Sequence, residues 1–550
     1  MFDANSISTR RSRVGLLTLA LIAGCFTTAA EAATYYIDSV NGSDSAAGTS
    51  AATAWQTLAK VSATTFAAGD QILLHTDQCW AGQLPPTGSG AAGSPIVISS
   101  YGGGAMPIID GGSLATGGAV YLYNQQYWTI QGLEVVNNSG VNNVGSASAQ
   151  GLSRYGIYVD NDSPLNGGQQ TYRGITIQNN YVHDVNGCFA CSDVNPQING
   201  GIVVAADPHS PLWHGTDNYE DVVIANNLVE HVGRTGITFW DASTGFYLSL
   251  DPSALSNNIT IHGNRVYNVD SDGIVMVGAK NSIMDHNIVG NAGSVTVQGS
   301  TEPSAVGLWP ARVYNVLVEY NEVYGVLTSQ GVDGEGYDID LCAQYVTLQY
   351  NYSHDNQGGF LVMEGGLGTG INATVRYNLS VNDSWGNLTG VFTFAYGVIP
   401  HTAIYNNTVY MAAGMSANLM NCEGWNCTNG YATNSYNPLS FQNNIIANFG
   451  TGNYQVPTGS GTTLNHNLFF GNHPSGEPAD PFKITSDPLF VAASATAPIG
   501  PGSVSGYQVG PGSPAIGSGA VISNNGGLDY FGNVVSATAV PTRGFYEANH

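Results

Sequence analysis

The chain has 550 residues, of which 9% are charged and 10% aromatic, with 71 glycines. Scarce Lys, Glu and Arg exclude a helical bundle, and the aromatic content excludes a disordered Gly/Asn-rich coil, which leaves an all-β protein with many turns. The net charge of −25 and the scattering of the 13 basic residues exclude nucleic acid as a partner; a polyanionic substrate would be repelled unless a metal or local cations intervene.

Arg10, Arg11 and Arg13 precede an apolar run from Val14 to Gly24 that is too short to anchor in a bilayer. Ala30-Glu31-Ala32 supplies small residues for cleavage, so residues 1–32 are expected to be a signal peptide and the mature chain secreted or periplasmic. Ile22-Ala23-Gly24-Cys25 is a rival cut, similar to a bacterial lipobox, which would leave Cys25 bearing lipid. No later segment is a membrane-span candidate. Six cysteines would remain: Cys79, Cys188, Cys191, Cys342, Cys422 and Cys427. An even number in an exported chain is compatible with disulfides. Cys188 and Cys191 have no second pair at zinc spacing and read as a loop staple or free thiols.

Residues 33–110 carry Tyr35-Tyr36-Ile37-Asp38, Asn41-Gly42-Ser43-Asp44, Gly48-Thr49, Trp55-Gln56-Thr57-Leu58 and Gly69-Asp70. This series resembles the N-terminal cap and opening coils of bacterial pectate-lyase-like β-helix proteins.

A repeat governs residues 111–475. An Asn closes a short alternating strand at Asn180, Asn227, Asn264, Asn287, Asn321, Asn351, Asn378, Asn407, Asn444 and Asn467. The steps from Asn264 to Asn287 and from Asn444 to Asn467 are both 23 residues, and the others run from 27 to 47. That is the pattern of a fixed minimal coil with loops inserted. Alternation before each Asn, as in Ile175-Thr176-Ile177-Gln178, marks a strand with one buried face. A second strand in each coil opens with Gly, as in Gly201-Ile202-Val203-Val204, Gly236-Ile237-Thr238-Phe239 and Gly273-Ile274-Val275-Met276. Short strands in this order cannot pair as hairpins; they predict stacked coils, a right-handed parallel β-helix with an internal Asn ladder at one bend.

Counting from Gly as zero, positions one and three are expected to point inward: Ile202/Val204, Ile237/Phe239, Ile274/Met276, Tyr337/Ile339 and Phe360/Val362. The outward places then hold Thr238, Trp240 and Asp241, Val275 and Val277, Trp309 and Arg312, Asp338 and Asp340, Met363 and Glu364, and Phe392 and Phe394. A face mixing aromatics with carboxylates suits a glycan groove. Trp240, Asp241, Trp309, Arg312 and Phe394 are its expected substrate-binding residues. Asp338 and Asp340 share one side of a strand, and Glu364 lies about one coil on, within reach across strands ~4.8 Å apart. Two carboxyls facing one sugar are the minimum for glycoside hydrolysis. Asp333, Glu335, Asp338 and Asp340 equally offer hard oxygen ligands to calcium, so the expectation is no required cofactor, with Ca2+ as the alternative. His354, like His183, follows a ladder Asn and reads mainly as a turn residue.

Gly336-Tyr337-Asp338-Ile339-Asp340, with Gln349-Tyr350-Asn351-Tyr352-Ser353-His354-Asp355-Asn356 and Gly358-Gly359-Phe360 through Glu364, resembles β-helix glycoside hydrolases of the xylosidase and fucosidase type. The resemblance implies an acid on each of two adjacent coils: Asp338 or Asp340 at the first place and Glu364 at the second. Residues 476–550 carry Asp487-Pro488-Leu489-Phe490, Ser513-Pro514-Ala515-Ile516, Asp529-Tyr530-Phe531-Gly532 and Arg543-Gly544-Phe545, and this series is similar to the closing segment of the same superfamily. The leading expectation is a monomeric glycoside hydrolase acting on a polysaccharide or oligosaccharide. A calcium-assisted polysaccharide lyase using Lys280 or Arg312 and a non-catalytic glycan-binding protein are the alternatives.

Overall fold

A computed structural model describes residues 31–548 apart from 113, 139–152, 163–169, 190, 192, 196, 210–215, 243–249, 294–303, 329–332, 367–371, 387–388, 398–400, 423–438 and 457–461. The expected signal peptide, save residues 31 and 32, lies outside the described residues, as do Cys25 and Cys427. Among the described residues, no helix is long and apolar enough to cross a membrane.

The chain is a right-handed parallel β-helix. Three long sheets run its length: 14 strands from Thr34–Ile37 to Thr463–Asn465, 13 from Cys79–Ala81 to Leu468–Gly471, and 10 from Gly117–Tyr123 to Asn418–Cys422. Each strand pairs in parallel with its equivalent one coil away, as Ile175 does with Val222 and Val222 with Ile259. Inward residues of all three sheets, among them Ile177, Val229, Ile237, Ile274 and Tyr337, form one continuous apolar core.

The bend between the first and second sheets carries the Asn ladder. All ten predicted Asn stand in one row. The Asn287 Oδ1 accepts from the Asn264 backbone N–H and side-chain amide, both at 3.0 Å, and its own amide donates to Asn321 Oδ1 at 3.0 Å and Ile261 O at 2.9 Å. The residue before each Asn is left-handed, for example Asn226 (φ 55°), His286 (55°) and Tyr320 (54°). That conformation turns the chain sharply, and a bulky residue adopts it only when its surroundings hold it there. Residues 476–548 fold back over this bend and the second sheet, where Tyr350 Oη donates to Leu528 O at 3.1 Å and Tyr352 Oη to Pro498 O at 2.8 Å. Cys188 and Cys191 are joined as a disulfide staple, whereas Cys79 and Cys342 are free.

Candidate active site

The outward face of the third sheet brings Asp338, Asp340 and Glu364 together. Tyr337 pairs with Leu361, Asp338 with Val362 and Ile339 with Met363, so the next residue on each strand, Asp340 and Glu364, stands side by side on the outward face. Carboxylate oxygens of the three acids lie within 4.8 Å of one another. Asp338 is buried, and its Oδ1 has no hydrogen-bond partner among the described residues. Asp340 and Glu364 are partly exposed and hydrogen-bonded to each other, and Asp340 also accepts from the Leu341 backbone N–H.

Burial raises the proton affinity of each of these carboxyls, because the low-dielectric interior penalises the charged form. Asp338 is pushed well up, first by burial and then by the charges of Asp340, Glu364, Asp333 and Glu335. Glu364 is pushed up to about 10 by burial, then by the charge of Asp340 and by the hydrogen bond it gives to that residue. Asp340 is raised by burial too, but the bonds from Glu364 and Leu341 oppose the rise and favour its carboxylate. The pair therefore holds a neutral Glu364 against an ionised Asp340, a proton donor beside an acceptor. Asp333 and Glu335, considered in the sequence only as calcium ligands, contribute their charge to this site.

The expected binding residues lie elsewhere. Trp240 is 0% exposed and Trp309 4%, so neither is a surface platform. Both point outward from the sheet, but a second apolar layer of Ile198, Ala242, Val306, Tyr155 and Tyr158 packs over that stretch. The Trp309 Nε1–H donates to buried Asp272 at 3.1 Å. Phe394 points the other way, into the core, with Phe392 and Met363. The reason is a one-residue slip in the Gly frame. Tyr337 N–H donates to Phe360 O, so Phe360, not Gly359, stands opposite Gly336. From that coil on, the inward places are Leu361, Met363, Phe392 and Phe394, while Val362, expected inside, shares the outward face with Asp338.

Asp241 is buried, with its Oδ2 accepting from the Ser256 N–H at 3.0 Å and hydroxyl at 2.6 Å. Arg312 is 1% exposed, and its guanidinium nitrogens have no hydrogen-bond partner among the described residues. Burial lowers its proton affinity, and the charge of Asp241 opposes that fall. Gly278 lies in the coil between them; a Cβ there would fall 2.6 Å from the Asp241 carbonyl oxygen, so only glycine allows the approach. Arg312 thus belongs to a buried electrostatic group, not an open subsite. Lys280 is on the first sheet, where its ammonium donates to Pro252 O at 2.8 Å. His354 is buried on the second sheet between Glu322 and Asp355 and stacks on Tyr324 and Tyr352.

No family model matches the chain. A lacto-N-biosidase of Bifidobacterium longum subsp. longum is 26% identical over 606 aligned positions, which cover 92% of this chain and 36% of that protein. The chain thus spans about a third of that curated relative's length. The crystal structure of GH136 lacto-N-biosidase from Eubacterium ramulus, as its selenomethionine derivative, superposes with a TM-score of 0.59 and 21% identity over 80% of this chain and 67% of that one. The native form gives 0.57 and 23%, over 70% and 65%. At these identities the structures show a shared fold.

Proposed function

We propose that this chain is an exported glycoside hydrolase that cleaves an oligosaccharide on the outward face of the third sheet, using Asp338, Asp340 and Glu364. The observation that carries the reading is the acid–carboxylate contact between Glu364 and Asp340, on adjacent coils and partly open to solvent. Likeness to proteins named lacto-N-biosidase supports the same class of reaction and makes a lacto-N-bioside the first substrate to try.

In this mechanism neutral Glu364 protonates the glycosidic oxygen as the C1–O bond breaks, and the Asp340 carboxylate attacks C1 to form a glycosyl ester. Water, deprotonated by Glu364, then releases the sugar. Carboxyls in hydrogen-bond contact leave no room between them for the water of an inverting pair, whose acids stand ~6.5–9.5 Å apart, and lie closer to the ~5–5.5 Å of retaining pairs. Buried Asp338, held neutral, lies behind the pair and adds no third negative charge to it. The test is hydrolysis of a panel of chromogenic glycosides that includes a lacto-N-bioside, with the anomer of the product followed by NMR. Retention is expected. No turnover of any oligosaccharide by folded protein would defeat the proposal.

The unpartnered oxygen of Asp338 beside two more carboxyls also favours a second reading, in which the same three acids hold Ca2+. Ca2+ added to chelator-stripped protein would then raise the thermal midpoint of the parent but not of Asp338→Asn. The lyase reading loses the two basic residues it relied on, because Lys280 is on another sheet and Arg312 is buried.

A further inference from the structure

We propose that His262, Asp285 and His286 form a binding site for a divalent transition-metal ion of the zinc class, independent of the glycosidase reading. His262 ends the strand Ser256–His262, Asp285 ends Ala279–Asp285 on the next coil, and the two residues are register partners. The left-handed turn at His286 (φ 55°) brings its ring back beside the same carboxylate. The Nδ1 of His262 lies 2.9 Å from Asp285 Oδ2, and the Nδ1 of His286 lies 2.7 Å from that same oxygen. The two imidazole centroids are 5.4 Å apart. One ligand atom from each residue therefore falls within 4.8 Å of both others.

Zinc takes His nitrogens at ~2.0–2.1 Å and carboxylate oxygens at ~2.0–2.2 Å, so ligand atoms around a tetrahedral ion stand roughly 3.3 Å apart. The three atoms here need only small side-chain rotations to open to that spacing. Two imidazoles and one carboxylate are a donor set that selects a first-row transition metal over calcium or magnesium. Both histidine side chains are about half exposed, 42% and 54%, while Asp285 is 12% exposed. A carboxylate fixed at the floor and two rings at the rim leave one side open for water or an exogenous ligand. Tyr320 stacks on His286 at 5.0 Å and limits that ring's rotation. The ligands come from two successive coils, so an ion would clip those coils together.

The experiment uses the full chain, stripped with chelator and titrated calorimetrically with Zn2+. The parent is expected to bind one equivalent more than His262→Ala/His286→Ala, and Zn2+ should raise the thermal midpoint of the parent more than that of the variant. Asp285→Asn, which keeps the side-chain shape, is expected to lose the same equivalent. His209→Ala controls for the other mixed cluster, Asp160, Asp162 and His209, and should retain it. Equal Zn2+ uptake by the parent and by both the double-Ala and Asn variants, including no uptake by any, would overturn the proposal.

Discussion

The Asn bend and the acidic face are both rows of buried or half-buried polar side chains on consecutive coils, and they resolve the same electrostatic problem in opposite ways. An amide carries a donor and an acceptor, so stacking Asn on Asn satisfies every member; Asn264, Asn287 and Asn321 each give and receive bonds of 2.8–3.0 Å. Carboxylates carry only acceptors. Stacking Glu364 against Asp340 and Asp338 is tolerated only if protons are shared, and among the described residues Asp338 still keeps an unpartnered oxygen. Saturated polar rows build the solenoid, whereas the unsaturated row is where chemistry can occur.

The sharpest break in that comparison should be Asp340→Asn. Removing the nucleophile is expected to cut turnover by at least the ~10²–10⁴-fold that a general acid–base group contributes, because no glycosyl ester can then form. The fold should persist, because relieving like-charge crowding does not empty the core. Glu364→Gln should act similarly on substrates with poor leaving groups, with azide rescue expected in Asp340→Asn, where it replaces the nucleophile, and in Glu364→Gln, where it attacks the glycosyl ester without needing a base. Steady-state rates on the best glycoside, with circular dichroism as the folding check, decide the matter; full activity in both variants would remove this pair from the site.

The covered stretch of the same face makes a second contrast. Trp309→Ala should cost about 3–5 kcal/mol of stability, as large-to-small core changes do, and leave the buried Asp272 oxygen without its indole donor. Urea unfolding measures this. Unchanged stability with weakened glycan binding would restore Trp309 to a groove.

Asn287→Ala tests the saturated side. It strands the Asn264 N–H and removes one of the two acceptors of the Asn264 amide and one donor each from the Ile261 carbonyl and the Asn321 oxygen, which keeps the bond from the backbone N–H of residue 287. A loss of about 2–3 kcal/mol is expected, since an unmade buried bond costs more than a made one gains. The rate per folded molecule should not change, and a selective loss of rate would tie the ladder to the site.

The ladder was legible from sequence because it is rigidly periodic: its Asn recur in one frame whatever the length of the loop between coils. The fold followed from that. The acids were legible for a related reason, since Asp338 and Asp340 share strand parity and Glu364 lies 24 residues beyond Asp340. Parity, however, tells which side of a sheet a residue faces and not whether that side is covered. Ile198, Ala242 and Val306 lie just outside the strands and pack over Trp240 and Trp309, a contact that no periodicity announces. Phe394 was misplaced because glycine is an unreliable register mark; hydrogen bonding, not the Gly itself, sets which residues stand opposite. The histidine pair did carry a signal. His262 and Asp285 each precede a ladder Asn by two places, so the repeat already puts them side by side.

The smallest expected effect is a change of slope with pH. Glu364 has a higher proton affinity folded than unfolded, so folding takes up a proton in the range between the two values. For this acid the sign is the reverse of the usual paired carboxylate: stability from this group is complete below the unfolded value near pH 4 and is lost as pH rises toward about 10. Asp338 is raised in the same direction and adds to the slope. In Glu364→Gln the amide stays neutral at every pH, so its melting midpoint should gain on the parent's steadily between pH 5 and 9, measured in chelator to keep cations from neutralising the cluster. The basic limb of the rate profile should report the same proton, because activity falls once Glu364 can no longer donate it. Asn287→Ala, on the saturated side, should show a stability deficit that does not vary with pH. Parallel midpoint-versus-pH curves for the parent and Glu364→Gln would mean that Glu364 is not held protonated by its neighbours, and the acid assigned to it would have to be sought among Asp333, Glu335 and Asp338.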